Sequence, residues 1–272
     1  MNTLHNASQD ASYDAPHGDA REVAATLKGV AVAFMDPKTK RSKYVLEHFD
    51  FECRRGEFVV MLGRSGCGKT TVLNILAGLL TPSRGKVEVL GKPPREARNQ
   101  IGYMFARDAL MPWRRAGQNV ELPLERDGVE PAERRLRAEA MLGRLGLEGK
   151  SGLYPWQLSQ GMRQRVALAR TWVSGPELLL MDEPFAALDA QTKVEARAEF
   201  LKIWEERRRS VVFVTHDLNE ALLLGDRIVM LAAGGREVVN IKVPFRHPRD
   251  VNELPFTREF RELEHELSQK LR

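Results

Sequence analysis

Few cysteines and no long apolar run characterise this chain of 272 residues. Its two cysteines, Cys53 and Cys67, have neither the number of a disulfide framework nor the spacing of a metal site. No stretch approaches the roughly 18 consecutive apolar residues that a membrane helix needs. Residues 1–20 are polar and contain no apolar signal core. We therefore expect a protein that is not exported and that works in a reducing cytoplasm.

The chain is also short of the aromatic residues on which nucleic-acid bases stack. Phe, Trp and Tyr make up 7% of the sequence, and they are not interleaved with its short arginine clusters at 114–115, 134–135 and 207–209. A formal charge of +5 and a pI of about 9.3 would suit nucleic acid, anionic lipid or phosphate ligands. Because the charge is spread along the chain, solvated helix faces are the simpler interpretation of the clusters.

What is present is the patterning of an α/β protein. Four continuous apolar runs are typical of strands covered on both faces, namely residues 58–62, 178–181, 211–214 and 228–231. Helical apolar spacing lies between them, from Val72 to Leu79 and from Val194 to Trp204. Strands that alternate with helices predict an α/β fold with a mainly parallel sheet.

The segments around these runs define the predicted domains. Residues 1–20 have little to bury and are expected to form a disordered tail. Strand-like segments at 24–34 and 49–53 precede the first buried run, within a main domain of 21–240. A charged helical pattern, broken by Gly143 and Gly146, predicts a helical subdomain inserted at about 107–165. Residues 241–272 are expected to form a C-terminal extension with an amphipathic helix near 256–271.

A glycine-rich turn follows the first buried run. It reads Gly63-Arg64-Ser65-Gly66-Cys67-Gly68-Lys69-Thr70 and fully matches the phosphate-binding P-loop. Its glycines let successive N–H groups face one anion, and the following helix adds its positive dipole end. Lys69 can contact the β- and γ-phosphates, and the Thr70 hydroxyl can hold Mg²⁺. The turn predicts an ATP site that also includes Thr71, with the Cys67 thiol as a bystander.

Polar residues follow two of the other buried runs. Asp182 and Glu183 end one run, and His216 follows another. Ligands of parallel sheets bind at the carboxyl ends of the strands, so these side chains are expected beside the P-loop. Asp182 is predicted to hold Mg²⁺, Glu183 to activate the attacking water, and His216 to contact the γ-phosphate. A solvated acidic turn and a surface histidine are the structural alternatives.

One further motif indicates a family. Leu158-Ser159-Gln160-Gly161-Met162 resembles the LSGGQ signature of ABC proteins, and with the P-loop and the acidic pair it makes residues 24–240 similar to the nucleotide-binding subunit of an ABC importer. Ser159 also fits a plain helix N-cap, and the two interpretations are compatible. The resemblance implies a P-loop NTPase (RecA-like) core with an antiparallel β subdomain and an inserted helical subdomain.

The resemblance also implies partners and further roles. Two copies would sandwich two ATP molecules, each held by the P-loop of one chain and the signature of the other. Asp189 corresponds to the D-loop between the sites, and Phe34 to the residue that stacks on adenine, with Tyr44 as the alternative. The implied partners are a membrane permease and a solute-binding protein, with no nucleic acid. The subunit would lie peripherally on the cytoplasmic side of the cell membrane.

The chain departs from the family pattern at two places. The glutamine that reaches toward Mg²⁺ is replaced by Ala106, and Asp108 is an open candidate for the missing oxygen. In the signature, Gln160 and Met162 replace the usual residues. The segment Met111-Pro112-Trp113 resembles the nitrate, sulfonate and taurine importers, so a small solute is expected, although a permease and not this chain selects it.

Two alternative functions belong to other classes. A soluble ABC-type ATPase could act on nucleic acid or the ribosome, but such chains carry a long coiled coil or two ATPase halves. This sequence has one P-loop, one signature and no sustained heptads. A small-molecule P-loop kinase would not explain the signature or His216. The sequence therefore favours the translocase subunit.

Overall fold

The structure of the chain is a computed structural model that describes residues 22–35, 40–232 and 235–271. The predicted disordered tail lies outside these ranges. The strands are β1 (Val23–Met35), β2 (Ser42–Arg54), β3 (Phe58–Gly63), β4 (Arg84–Val89), β5 (Ile101–Met104), β6 (Leu178–Asp182), β7 (Ser210–Thr215), β8 (Arg227–Leu231) and β9 (Glu237–Lys242). The helices are α1 (Lys69–Leu76), α2 (Ala116–Arg126), α3 (Pro131–Arg144), α4 (Gln160–Trp172), α5 (Ala190–Arg207), α6 (Leu218–Leu224) and α7 (Arg258–Lys270).

The main sheet has the order β5-β6-β7-β3-β8-β9, and only β9 runs antiparallel to its neighbour. The four apolar runs predicted as buried strands are β3, β6, β7 and β8. Successive side chains of a strand point to opposite faces, so a continuous apolar run can pack on both. In β3, Phe58 and Val60 join one core cluster, whereas Val59 and Met61 join the other. The predicted α/β class and mainly parallel sheet are confirmed.

Different layers cover the two faces of this sheet. One face packs on α1 and on a second, antiparallel sheet of order β2-β1-β4. The other face packs on α4, α5 and α6, and the buried side chains of α2 and α3 extend the same core cluster. The described elements between β5 and β6 are helical, so the helices predicted in this part of the chain are present.

Two helix ends differ from the sequence prediction. The α3 helix continues through Gly143 and ends at Arg144. A helix tolerates a single glycine, and it is Gly146, with a φ of +68°, that turns the chain after the helix. The α1 helix ends at Leu76, and Gly78 (φ +66°) reverses the chain. Leu79, predicted on the apolar face of α1, is therefore outside the helix and 58% exposed.

The C-terminal extension packs against the main core. The α7 helix buries Phe260 and Leu267 in the cluster that also contains α5 and α6. The preceding segment places His247 Nδ1 2.9 Å from Glu205 Oε1 and His247 Nε2 3.4 Å from Asp226 Oδ1. The main sheet includes β9, which ends at Lys242, two residues beyond the boundary proposed at residue 240.

The register of the parallel strands brings their carboxyl ends together. Leu62 of β3 pairs with Thr215 of β7, and Asp182 of β6 pairs with Val214 of β7. The residues that follow these strands are the P-loop, Glu183 and His216. The sheet therefore gathers the candidate residues at one edge, as its parallel topology predicts.

Candidate functional site

The P-loop forms the tight strand-to-helix turn that the sequence predicts. Gly63, Gly66 and Gly68 have φ values of +155°, +81° and +108°, conformations that residues with a Cβ rarely adopt. A Cβ at Gly63 would lie 2.5 Å from the carbonyl oxygen of Leu231, so that position also has no room for a side chain. The loop ends at Gly68, directly before α1, so its N–H groups and the helix N-terminus share one location.

Lys69 is held by the loop that it follows. Its side chain is buried, and Nζ donates hydrogen bonds to the carbonyl oxygens of Gly63 (2.7 Å) and Arg64 (3.1 Å). An ammonium group has three donors, and the third is directed near Cys67 Sγ at 3.9 Å. The loop carbonyls thus fix a positive charge at the position where a P-loop contacts phosphates.

Thr70 and Asp182 meet across the site. Thr70 Oγ1 donates a hydrogen bond of 3.2 Å to Asp182 Oδ1. Burial raises the pKa of Asp182, and the hydrogen bond from Thr70 opposes this rise. The Glu183 carboxylate raises this pKa further, whereas the charge of Lys69 lowers it. A partly buried carboxylate beside a hydroxyl and a second carboxylate is a donor set that suits Mg²⁺.

Glu183 and His216 form a pair at the ends of β6 and β7. Glu183 Oε2 lies 3.2 Å from His216 Nδ1, and the two side chains are 31% and 60% exposed. Glu183 adopts the left-handed region (φ +45°), and its N–H donates to the carbonyl oxygen of Val214 at 2.9 Å. Strain of this kind in a non-glycine residue is typical of functional sites. The backbone therefore holds the Glu183 carboxylate at the sheet edge, beside His216.

Side chains that the sequence analysis did not identify support His216. Asp217 caps α6 by accepting from the N–H groups of Asn219 and Glu220, and its own N–H donates to Thr215 Oγ1 at 3.0 Å. Lys193 Nζ lies 3.7 Å from both Asp217 Oδ2 and Glu220 Oε1. Because Lys193 is one turn after Asp189, these contacts join the D-loop helix to the turn that carries His216.

The signature segment begins a helix, as predicted. Ser159 is the N-cap of α4 and accepts a hydrogen bond of 3.2 Å from the N–H of Met162. Gln164 donates to the carbonyl oxygen of Pro184, the residue after Glu183. Gly161 packs on α5, where an added Cβ would lie 2.7 Å from Thr192 Cγ2. The helix is thus fixed to both the acidic pair and the D-loop region.

The segment after β5 is also tied to α4. Asp108 Oδ2 accepts from Arg163 Nε at 3.0 Å, and Asp108 Oδ1 accepts from the N–H of Leu110 at 3.3 Å. Arg170 donates at 2.8 Å to the carbonyl oxygens of both Asp108 and Ala109. The carboxylate considered as a replacement for the glutamine missing at Ala106 is therefore engaged by Arg163 and by the backbone.

The two aromatic candidates for adenine stacking lie near each other at the end of the antiparallel pair β1–β2. Tyr44 of β2 pairs with Ala33 of β1, and Phe34 is the next residue of β1. The register shifts between Val32 and Ala33, and Val32 pairs with Leu46, whose side chain lies against Gly68 of the P-loop. Phe34 and Tyr44 are 47% and 42% exposed, so both aromatic side chains are accessible beside the P-loop.

Two absences concern the described part of the chain. Its residues contain no group of three or more His, Cys, Asp or Glu side chains that could hold a metal ion. A cation at this site would thus have few protein ligands, as is usual when substrate phosphates complete the coordination of Mg²⁺. No helix among residues 22–35, 40–232 and 235–271 has the length and apolar character of a membrane span.

Two glycine substitutions test the packing of the signature helix. Gly161→Ala should destabilise the fold by about 1–3 kcal/mol and reduce ATP turnover, because the new methyl group meets Thr192. Gly143→Ala is the matched control in α3, where nothing lies within 4 Å. It should stabilise by about 0.5–1 kcal/mol and leave turnover unchanged. Thermal unfolding and turnover assays measure both; equal effects would contradict the packing of Gly161 on α5.

Comparisons with known proteins place much of the chain in a known family. The profile of the ABC transporter family matches residues 46–186. The chain is 45% identical over 212 residues to an ABC transporter ATP-binding protein of Methanocaldococcus jannaschii, covering 78% of this chain and 79% of the relative. It is 40% identical over 204 residues to the taurine import ATP-binding protein of Escherichia coli, covering 75% and 80%.

Solved structures show the same fold. The dimeric, post-hydrolysis structure of an ATP-binding cassette bound to ADP and phosphate has a TM-score of 0.74 and 34% identity, covering 82% of this chain and all of that chain. A second dimeric structure, of a bacterial ABC transporter cassette, has a TM-score of 0.74 and 33% identity, with the same coverage. These likenesses confirm the P-loop NTPase fold class.

Proposed function

Because this chain belongs to the ABC transporter family of ATP hydrolases, we propose that it is the ATP-binding and ATP-hydrolysing subunit of an importer. The observation that carries the proposal is the meeting of Lys69, Thr70, Asp182 and Glu183 at one sheet edge. The likeness to a taurine import protein supports a small solute, such as taurine, another sulfonate or nitrate. A separate permease carries the solute, and the subunit lies peripherally on the cytoplasmic side of the cell membrane.

In this proposal, residues at the sheet edge divide the work of hydrolysis. The P-loop N–H groups and Lys69 bind the phosphates, while Thr70 and Asp182 hold Mg²⁺. When bound, Mg²⁺ neutralises phosphate charge. Glu183 accepts a proton from the attacking water, as the bond between the γ-phosphorus and the ADP oxygen breaks. His216, which is already within 3.2 Å of Glu183, donates a hydrogen bond to the γ-phosphate.

A second copy of the chain completes each site in this account. Ser159 is exposed at the N-terminus of α4, so we assign this helix terminus to the phosphate bound by the partner copy, where the helix dipole favours negative charge. The dimeric form of the similar cassettes supports this arrangement. Asp189 caps α5 by accepting from the N–H of Thr192 at 3.0 Å, and it is proposed to communicate between the two sites.

The helical subdomain is proposed to bind the permease. Trp113 is 71% exposed at its surface. Buried Asn119 holds the loop of Trp113 by accepting from the N–H of Met111 at 2.8 Å and donating to the carbonyl oxygens of Met111, Arg114 and Arg115. An exposed tryptophan on a rigid loop is a suitable anchor for a protein partner. A solute-binding protein would deliver the solute to the permease from the other side.

Purification from membranes tests the proposed function. A tagged chain, expressed in its own cells and extracted in mild detergent, should carry with it a polytopic membrane protein that changes its Mg²⁺-dependent ATP turnover in liposomes. Recovery from the soluble fraction with nucleic acid or ribosomes, with a steep dependence on salt, would instead support the alternative function.

The substitution Ala106→Gln tests the departure from the family pattern. The wild type should hydrolyse ATP, because Thr70 and Asp182 still supply oxygen ligands for Mg²⁺ without a glutamine at residue 106. Restoring the glutamine should increase the stimulation of turnover by the permease, with a smaller effect on turnover of the isolated chain. The measurement is ATP turnover with and without the permease in liposomes. A wild-type complex without Mg²⁺-dependent turnover would contradict this expectation.

A further inference from the structure

The ion pair between Asp108 and Arg163 joins two parts of the site that are 55 residues apart in sequence. Arg163 Nε donates to Asp108 Oδ2 at 3.0 Å, and Arg163 Nη1 donates to the carbonyl oxygen of Leu158 at 2.9 Å. Leu158 directly precedes Ser159, the N-cap of the signature helix. A single guanidinium group therefore connects the segment after β5 to the backbone that presents Ser159.

The Asp108 end of this connection begins beside the metal-binding edge. β5 ends at Met104, which pairs with Met181, the residue before Asp182. Asp108 is the fourth residue after Met104, which places the two Cα atoms at most about 14 Å apart. Residue 106, where the family has a glutamine, is alanine. Asp108 supplies the carboxylate of this short span, residues 105–108.

A second arginine of α4 holds the backbone of the same segment. Arg170 lies two turns after Arg163 and donates to the carbonyl oxygens of Asp108 and Ala109, both at 2.8 Å. Ala109 adopts the left-handed region (φ +46°), so the chain turns sharply directly after Asp108. Because Arg170 holds the backbone of Asp108 independently, the Asp108 carboxylate is fixed in position and can orient Arg163.

We infer that Asp108 and Arg163 are positioning residues that align the signature helix of one chain for the ATP bound by a second copy. This inference rests on the proposed function. Residue 106 of this chain is alanine, and the ion pair of Asp108 and Arg163 is the link between the segment after β5 and the signature. In the proposed dimer, Ser159 contacts the ATP that the partner copy binds. The pair therefore connects a chain's own ATP site to the signature that the same chain supplies to its partner.

The pair is suited to orientation more than to stability. The Arg163 and Asp108 side chains are 31% and 27% exposed, and ion pairs with such access to water contribute little to the free energy of folding. The guanidinium group that Asp108 orients nevertheless also holds the carbonyl oxygen of Leu158, the residue before Ser159. Removing it should therefore reduce the turnover number while the KM for ATP, set by the P-loop in the same chain, stays nearly constant.

Steady-state ATP turnover of the purified chain with Mg²⁺ tests this inference. Asp108→Asn and Arg163→Gln should each reduce kcat by about three- to tenfold, with less than a twofold change in KM. The double variant should lose no more than the worse single variant, because the two residues act through one contact. Asp108→Glu, which keeps the charge, should recover most of the loss.

The pair between Arg114 and Glu125 provides a matched control in the same subdomain. Its atoms are 2.9 Å apart and its side chains 31% and 32% exposed, values close to those of the tested pair. Arg114→Gln and Glu125→Gln should leave kcat of the isolated chain unchanged. Dimer formation with ATP, measured by size exclusion in a Glu183→Gln background, should weaken for Asp108→Asn and not for Glu125→Gln.

Each contrary outcome has a distinct meaning. Three results would overturn the positioning role. The losses of the two single variants could add in the double variant, or the control pair could lose as much turnover as the tested pair. The loss could also follow the fall in unfolding temperature without being recovered by Asp108→Glu. In those cases the wild type still hydrolyses ATP and the proposed function stands. A wild type that neither hydrolyses ATP nor dimerises with it would overturn the proposed function, and this inference with it.

Discussion

The Glu183→Gln variant should bind ATP, form a stable dimer and lose most of its turnover. The amide keeps the size of the carboxylate but cannot accept a proton from water, and loss of a general base costs roughly 10²–10⁴-fold in rate. The dimer should persist because its reopening requires hydrolysis. Turnover of purified wild type and variant, together with size exclusion in the presence of ATP and Mg²⁺, measures both effects.

The glutamate at the other end of β6 provides the control for this prediction. Glu177 precedes β6 at its opposite end, where it pairs with Arg55, and its side chain is 33% exposed against 31% for Glu183. Glu177→Gln should retain turnover near that of the wild type and should not accumulate a dimer. Near-normal turnover of Glu183→Gln would remove Glu183 from the role of base and would leave the role of its left-handed backbone unexplained.

Lys69→Ala and Ser159→Asp should each abolish turnover, for different reasons. Lys69→Ala removes the buried charge at the phosphates, so ATP affinity should also fall. Ser159→Asp keeps the helix cap, because aspartate caps as well as serine, but it places a negative charge against the phosphate of the partner copy. That variant should bind ATP as a monomer and fail to dimerise. ATP binding, dimer formation and turnover separate the two defects.

Two control variants test whether Ser159→Asp and Lys69→Ala act merely by unfolding the protein. Ser159→Asn should cap the helix without adding charge and should retain part of the turnover. Lys86→Ala, at a lysine that is 70% exposed in β4, should leave ATP binding unchanged. If Ser159→Asp dimerised and hydrolysed ATP like the wild type, the signature helix would have no role in trans.

The buried strands could be predicted from the sequence because their environment leaves a local signal. In β6, for example, all five residues from Leu178 to Asp182 are buried, and a strand with packed layers on both faces requires a continuous apolar run. The P-loop could be predicted for a similar reason. Its three glycines with positive φ and its lysine lie within seven consecutive residues, 63–69, so the whole phosphate cradle is local.

The remaining features depend on contacts distant in sequence. The ion pair of Asp108 and Arg163 joins two polar, ordinary segments, and neither segment alone indicates the other. The left-handed conformation of Glu183 follows from its N–H bond to Val214, which no propensity encodes. Leu79 was predicted wrongly because apolar spacing continues past Gly78, where the left-handed turn and not the pattern ends the helix.

The central claim is that each ATP site is shared by two copies of the chain. Mixing Lys69→Ala with Ser159→Asp tests this directly, because a heterodimer pairs the intact P-loop of the second variant with the intact signature of the first. Random pairing makes half of the dimers mixed, each with one complete site, so turnover should rise to as much as about a quarter of the wild-type value. A mixture as inactive as either variant alone would contradict the shared site.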